Sequence, residues 1–123
     1  MAKDRLWVLL VDDDAGILKV LAQSLEHEGF YVARAADGEA ALELYRRWGS
    51  DFDWVITDHQ MPRKRGVDLL LEVRAINPTQ KCVLMSASLP SLPQPMLAGC
   101  QVLSKPFRTS ELIEAMRGLS QGT

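Results

Sequence analysis

Asp12, Asp13, Asp58, Ser86 and Lys105 are the residues whose types and spacing suit chemistry. Asp12 and Asp13 end the apolar run Leu6–Val11, and Asp58 ends the strand-like stretch Asp53–Asp58. Ser86 and Lys105 each close a further apolar segment. Carboxylates brought to one place repel one another, and left alone one would be driven to hold a proton. A hard divalent cation with oxygen ligands relieves that repulsion, and Mg²⁺ suits one or two carboxylates completed by water and phosphate oxygens. A hydroxyl and an ammonium on the far side would grip the other oxygens of a phosphoryl group. Such a set suits phosphoryl transfer, in which catalysis is mostly positioning and charge neutralisation. Asp58, central and alone, is the natural nucleophile. Each residue also has an ordinary reading: Asp12–Asp14 as helix-start acids, Asp58 as a turn residue, Ser86 as a strand end, Lys105 as a surface charge. All five at successive strand ends is hard to reach by accident.

The elements that must position them are readable from periodicity. Leu6–Val11 is continuously apolar, as in a strand covered on both faces. From Asp14 to Glu28, Ile17, Leu18, Leu21 and Leu25 recur at helical spacing, with Asp14 as N-cap and Gly29 past the end. Phe30–Ala35 is a second strand. Asp37-Gly38 opens a helix to about Trp48, with Ala41, Leu44, Tyr45 and Trp48 on one face and Gly49 closing it. After the Asp53–Asp58 strand, Pro62 forces a loop that Gly66 closes. Gly66–Ile76 is a helix buried through Val67, Leu70, Val73 and Leu69, stopping before Asn77-Pro78. Lys81–Ser86 and Gln101–Ser104 are strands, and Thr109–Leu119 is a last amphipathic helix on Leu112, Ile113 and Met116, fraying from Gly118. Leu89–Ala98 carries Pro90, Pro93 and Pro95, through which no regular helix passes; its apolar residues Leu89, Leu92, Met96 and Leu97 suit an irregular cap on the sheet. Alternating strand and helix predicts a doubly wound α/β fold on a five-stranded parallel sheet, with strand ends gathered on one rim.

The bulk properties exclude much else. A chain of 123 residues, 47% hydrophobic and 24% charged, makes a single domain over residues 1–123, or the N-terminal part of something longer. A net charge of -2 offers no general attraction to nucleic acid, and Arg63-Lys64-Arg65 is a short basic loop that serves to offset nearby acids. No apolar run approaches the roughly 18 residues of a membrane span, and the start lacks a signal-peptide core. Cys82 and Cys100 form neither a disulfide framework nor a metal-ligand spacing and read as small core residues. A cytoplasmic location, with no membrane and no nucleic acid as partner, is the expectation.

VDDD at 11–14, ITDHQMPRKRG at 56–66, LMSA at 84–87 and SKPF at 104–107 together resemble a bacterial two-component response-regulator receiver domain, over about Leu6 to Leu119. The resemblance implies a flavodoxin-like sheet and a phosphoacceptor rather than an enzyme. By it, Asp12 and Asp13 hold Mg²⁺, Asp13 directly and Asp12 partly through water, while the Gln60 carbonyl completes the shell with Asp58. Asp58 takes the phosphoryl group from a histidine kinase or phosphotransfer protein, Ser86 is the switch hydroxyl and Lys105 binds the phosphoryl group. Ala87 leaves room for the donor, and His59 lies at a variable position of the site loop.

Two features depart from that pattern. Receivers usually carry Tyr or Phe three residues before the lysine, and here the residue is Val102, with no ring to reorient. The Ser86-to-Lys105 span is short, and its three prolines predict that the family's fourth helix is shortened or missing. A receiver-like interaction module with phosphorylation-independent output therefore stands as an alternative. A haloacid-dehalogenase-like phosphatase, suggested by Asp12-x-Asp14, leaves Asp58 unexplained and lacks the later acids such a site needs.

Overall fold

A computed structural model describes residues 5–88, 92 and 98–120, with side chains to residue 118. The elements run β1 (Trp7–Val11), α1 (Ala15–His27), β2 (Tyr31–Ala35), α2 (Gly38–Trp48), β3 (Trp54–Asp58), α3 (Gly66–Ile76), β4 (Lys81–Ser86), β5 (Cys100–Ser104) and α4 (Thr109–Ser120). The five strands form one parallel sheet in the order β2-β1-β3-β4-β5. The expected break in the proline segment falls on residues 89–91 and 93–97, outside the described residues; Leu92, between them, packs against the core. No helix among the described residues is long and apolar enough to cross a membrane.

The sheet is covered on both faces because alternate residues of each strand enter different layers. Leu9 and Val11, Val55, and Cys82 and Leu84 face one way, toward Ala41, Leu42 and Tyr45 of α2 and Leu69, Leu70 and Val73 of α3. Val8 and Leu10, Trp54 and Ile56, and Val83 and Met85 face the other, toward Leu18, Leu21 and Leu25 of α1 and Leu112, Ile113 and Met116 of α4. Two expected core residues are in fact at the surface. Ile17 is 38% exposed because Leu18, Leu21, Ala22 and Leu25 already fill the sheet side of α1. Trp48 is 51% exposed, since α2 buries Ala41, Leu42 and Tyr45 and ends there, while Gly49 continues the chain into a short 3₁₀ turn, Gly49–Asp51.

Local chemistry fixes the helix starts nearest the rim. Asp14 accepts from the Gly16 and Ile17 N–H groups, and Asp37 from the Ala40 N–H, each N-cap stabilising its helix by about 1 kcal/mol. Gly66 starts α3 where there is no room for a side chain. A Cβ on it would lie 2.4 Å from the Asp58 carbonyl oxygen, 2.7 Å from Leu84 Cδ1 and 2.8 Å from His59 Cα. Two of those neighbours are backbone, so Gly66→Ala must push α3 away from the end of β3. The expected loss is about 2–3 kcal/mol of stability, from forced overpacking, read as a lower denaturant midpoint with an unchanged slope.

Candidate functional site

Strand register brings the acids together. Val11 of β1 lies opposite Thr57 of β3, so the following residues, Asp12 and Asp58, leave the sheet side by side. β2 lies on one side of β1 and β3 on the other, and such a switch in strand order is where open α/β sheets bind ligands beyond their carboxyl ends. Carboxylate oxygens of Asp12, Asp13 and Asp58 lie within 4.8 Å of one another. Asp12 and Asp58 are buried and Asp13 is exposed.

Lys105, one residue past β5, reaches across to them. Its Nζ stands 2.9 Å from Asp58 Oδ1 and 3.8 Å from Asp12 Oδ2. The Lys105 N–H donates to the Ser86 carbonyl at 2.8 Å, tying the β4 and β5 ends, and the Lys105–Pro106 peptide is cis. Ser86 is fully buried; its hydroxyl donates to the Ser88 carbonyl and accepts the Ser88 N–H at 3.2 Å. Gln60 is exposed in the loop two residues past β3. Asp14, also at this rim, is committed to capping α1.

Two residues of the loop after β3 have partners that the sequence does not specify. His59 is buried, and its carbonyl accepts the Gly66 N–H at 2.8 Å while its Nδ1 accepts the Val67 N–H at 3.4 Å, so it caps the start of α3. Lys64 turns inward and bonds Glu72. The expected offsetting of acids by the basic loop is met there and at Arg65, whose Nε is 3.2 Å from Asp68. No periodic signal marks either His59 or Lys64, because both act from an irregular loop.

A family model described as "Response regulator receiver domain" matches residues 8–117. The chain belongs to that family.

Transcriptional regulatory protein CpxR of Escherichia coli (strain K12) is 35% identical over 115 residues, which cover 91% of this chain and 48% of that protein. Probable transcriptional regulatory protein TcrX of Mycobacterium tuberculosis is 29% identical over 121 residues, covering 94% of this chain and 50% of that one. The chain spans about half the length of these curated relatives. Among solved structures, a response regulator receiver domain protein from Clostridium thermocellum aligns with TM-score 0.84 and 28% identity over 92% of both chains. The response regulator TrrA of Thermotoga maritima in complex with Mg(2+)-BeF aligns with TM-score 0.80 and 29% identity, over 93% of this chain and 98% of that one.

The donor set of this receiver fits a hard divalent cation. Three carboxylates converge, and Asp12 Oδ2 is buried with no hydrogen bond, while its Oδ1 accepts the Asp14 N–H at 2.9 Å. Trp54 lies at the opposite end of β3 from Asp58, beneath the Lys81 ammonium at 5.5 Å. The cysteines stand apart from the site. Cys82 is fully buried and Cys100 half-buried, and burial pushes their thiols up to about 12 and about 11, as suits core residues rather than nucleophiles.

Burial is also the chief cause that raises the Asp12 carboxyl above its ordinary value of 3.8; the Asp58 and Asp13 charges add to it, while the Asp14 N–H and Lys105 oppose it. A carboxyl raised on folding carries no penalty below its ordinary value and a growing one as pH rises through the folded value. In metal-free protein, Asp12→Asn is therefore expected to raise the unfolding midpoint at pH 7, since asparagine keeps an acceptor for the Asp14 N–H. The gain should shrink as pH is lowered toward 3.8. Thermal melts in chelator at the two pH values measure it.

Proposed function

We propose that this receiver accepts a phosphoryl group on Asp58 in a Mg²⁺-dependent reaction and acts as a conformational switch. The observation that carries the reading is the juxtaposition of Asp12, Asp13 and Asp58 within 4.8 Å with Lys105 Nζ 2.9 Å from Asp58. Asp12, Asp13, Asp58 and the Gln60 carbonyl are the groups that would hold the ion. When bound, Mg²⁺ neutralises the carboxylates and the charge developing on the phosphoryl oxygens.

A carboxylate oxygen of Asp58 attacks phosphorus, forming a P–O bond as the P–N bond to a donor phosphohistidine breaks. The departing imidazole keeps the bonding pair and takes up a proton. Lys105 turns from the Asp58 carboxylate to a phosphoryl oxygen, a charge-assisted contact that grows with the transferred charge. Ser86 can donate to another phosphoryl oxygen only by giving up the Ser88 carbonyl, which makes its hydroxyl the moving part. Ala87 keeps the approach open. A protein donor, a histidine kinase or phosphotransfer protein, is supported by the apolar cleft beside Lys105, of about 760 Å³ and lined by Ile17, Val20, Leu21, Pro106 and Phe107. The phosphatase alternative loses its second acid, because Asp14 Oδ1 already accepts two N–H groups of α1. The output partner or effector domain is left unassigned.

Incubation with acetyl phosphate and Mg²⁺ is expected to add one phosphoryl group, labile in base as acyl phosphates are. Asp58→Asn should abolish it, and Asp13→Ala should lose most Mg²⁺ affinity by calorimetry. Modification of Asp58→Asn at the parent rate would move the acceptor elsewhere, Asp14 being the first residue to test.

The form of the switch follows from Val102, half-buried on β5 against the α2–α3 layer. A ligand shifts an equilibrium only by its differential affinity for the two states. Valine offers far less area to bury than an aromatic ring, whose burial reaches about 150–250 Å². With beryllofluoride as phosphoryl mimic, altered hydrogen exchange is expected to concentrate in residues 86–98, with α4 nearly unchanged. A large change spread over β5 and α4 would show that the output face moves without a ring.

A further inference from the structure

The loop joining β3 to α3 turns its side chains alternately inward and outward. His59 and Met61 are buried; Gln60, Pro62, Arg63 and Arg65 are exposed. Lys64 is again drawn in, its side chain only 16% exposed. Its ammonium bonds Glu72 of α3 and stands 3.5 Å from Glu39 in the first turn of α2. Its methylene stem lies over Gly38, where an added Cβ would come within 2.9 Å of Lys64 Cδ. A single loop side chain thus spans two helices. The backbone beside it needs holding: Arg63 has φ 68, a left-handed conformation costly for arginine that persists where its surroundings over-determine it. The Lys64 N–H closes that turn on the Pro62 carbonyl at 2.8 Å.

We propose that Lys64 is a positioning residue of the phosphoryl site, holding the loop that carries the Gln60 carbonyl at the edge of the carboxylate cluster. The inference rests on the phosphoacceptor reading above. Lys64 touches neither the acids nor the phosphoryl group; it acts through the loop backbone, whose other anchors are buried Met61 and the two hydrogen bonds from α3 to His59. Groups that orient metal ligands in this way are worth about 10- to 100-fold in affinity when bonded to the ligand itself, and less is expected through a backbone.

An ion pair that merely adds stability is the competing account, and the sign of one measurement separates the two. Removing the ammonium leaves Glu39 and Glu72 uncompensated, and through space that extra negative charge strengthens binding of a divalent cation. A loosened loop weakens it. Mg²⁺ affinity is to be measured by calorimetry, at fixed ionic strength, for the parent, Lys64→Met, Lys64→Arg and Asp13→Ala. Lys64→Met keeps the stem over Gly38 and drops only the charge. The expected result is a several-fold weaker Mg²⁺ affinity in Lys64→Met, recovery to within about twofold of the parent in Lys64→Arg, and a rate of modification by acetyl phosphate that recovers at saturating Mg²⁺. Parent-like or tighter binding in Lys64→Met, beside a large loss in Asp13→Ala, overturns the positioning role and leaves the phosphoacceptor reading standing. Equal weakening in the Met and Arg variants overturns it too, because restoring the charge then restores nothing. Parent affinity in Asp13→Ala sinks the reading of the site itself. If Lys64→Met does not fold, Lys64→Gln carries the same comparison.

Discussion

The organising constraint is electrostatic: three carboxylates are held within 4.8 Å of one another, with the Lys105 ammonium 2.9 Å from Asp58 and 3.8 Å from Asp12. A chain free to relax would separate these groups or protonate one. This chain is not free, because Asp12 directly follows β1 and Asp58 ends β3, two paired central strands whose apolar side chains are all buried except that of Trp7. Burying a Leu, Val or Ile side chain contributes roughly 1.5–3 kcal/mol, and many such residues in two layers outweigh the repulsion at the rim. The cost is concentrated where the chemistry is: the raised Asp12 carboxyl and its unbonded Oδ2 are its local expression.

The same constraint explains why the surrounding connections are tight. Gly66 sets α3 directly against the Asp58 carbonyl, and His59 accepts two N–H groups from the first turn of that helix. Across the sheet, the His59 N–H donates to the Met85 carbonyl and the Lys105 N–H to the Ser86 carbonyl, each at 2.8 Å. The strand ends are therefore linked in series from β3 to β5. Asp58 thus has short backbone connections to Ser86 and Lys105.

Much of this was legible because it is periodic or compositional. Alternating apolar strands and helices imply the sheet, and acids placed at strand ends imply the clustering of Asp12, Asp13 and Asp58. Residues whose roles come from tertiary proximity were not legible. Ile17 and Trp48 fit a helical stripe, yet the sheet side of each helix was already full, and a one-dimensional pattern does not record how wide the sheet beneath it is. Arg74 is charged and buried, its Nε donating to the Gln80 carbonyl at 2.8 Å, a fate that burial preferences alone would assign to few arginines. His59 and Lys64 act from a loop, where neither the 3.6 nor the 2 repeat applies.

Lys64 and Lys105 show why counting charges near such a site misleads. Both are partly buried and both face acids, but their relations to a divalent cation are opposite. Lys105 occupies the cluster itself, 2.9 Å from Asp58 Oδ1, so its charge competes with a cation for the same oxygens. Lys64 is neutralised by Glu72 and Glu39 at a remove from the cluster, so what it contributes is geometry: a turn kept in a left-handed conformation and a loop kept against two helices. What tells the two apart is the partner: Asp58 and Asp12 at the strand ends for Lys105, Glu72 and Glu39 on two helices for Lys64.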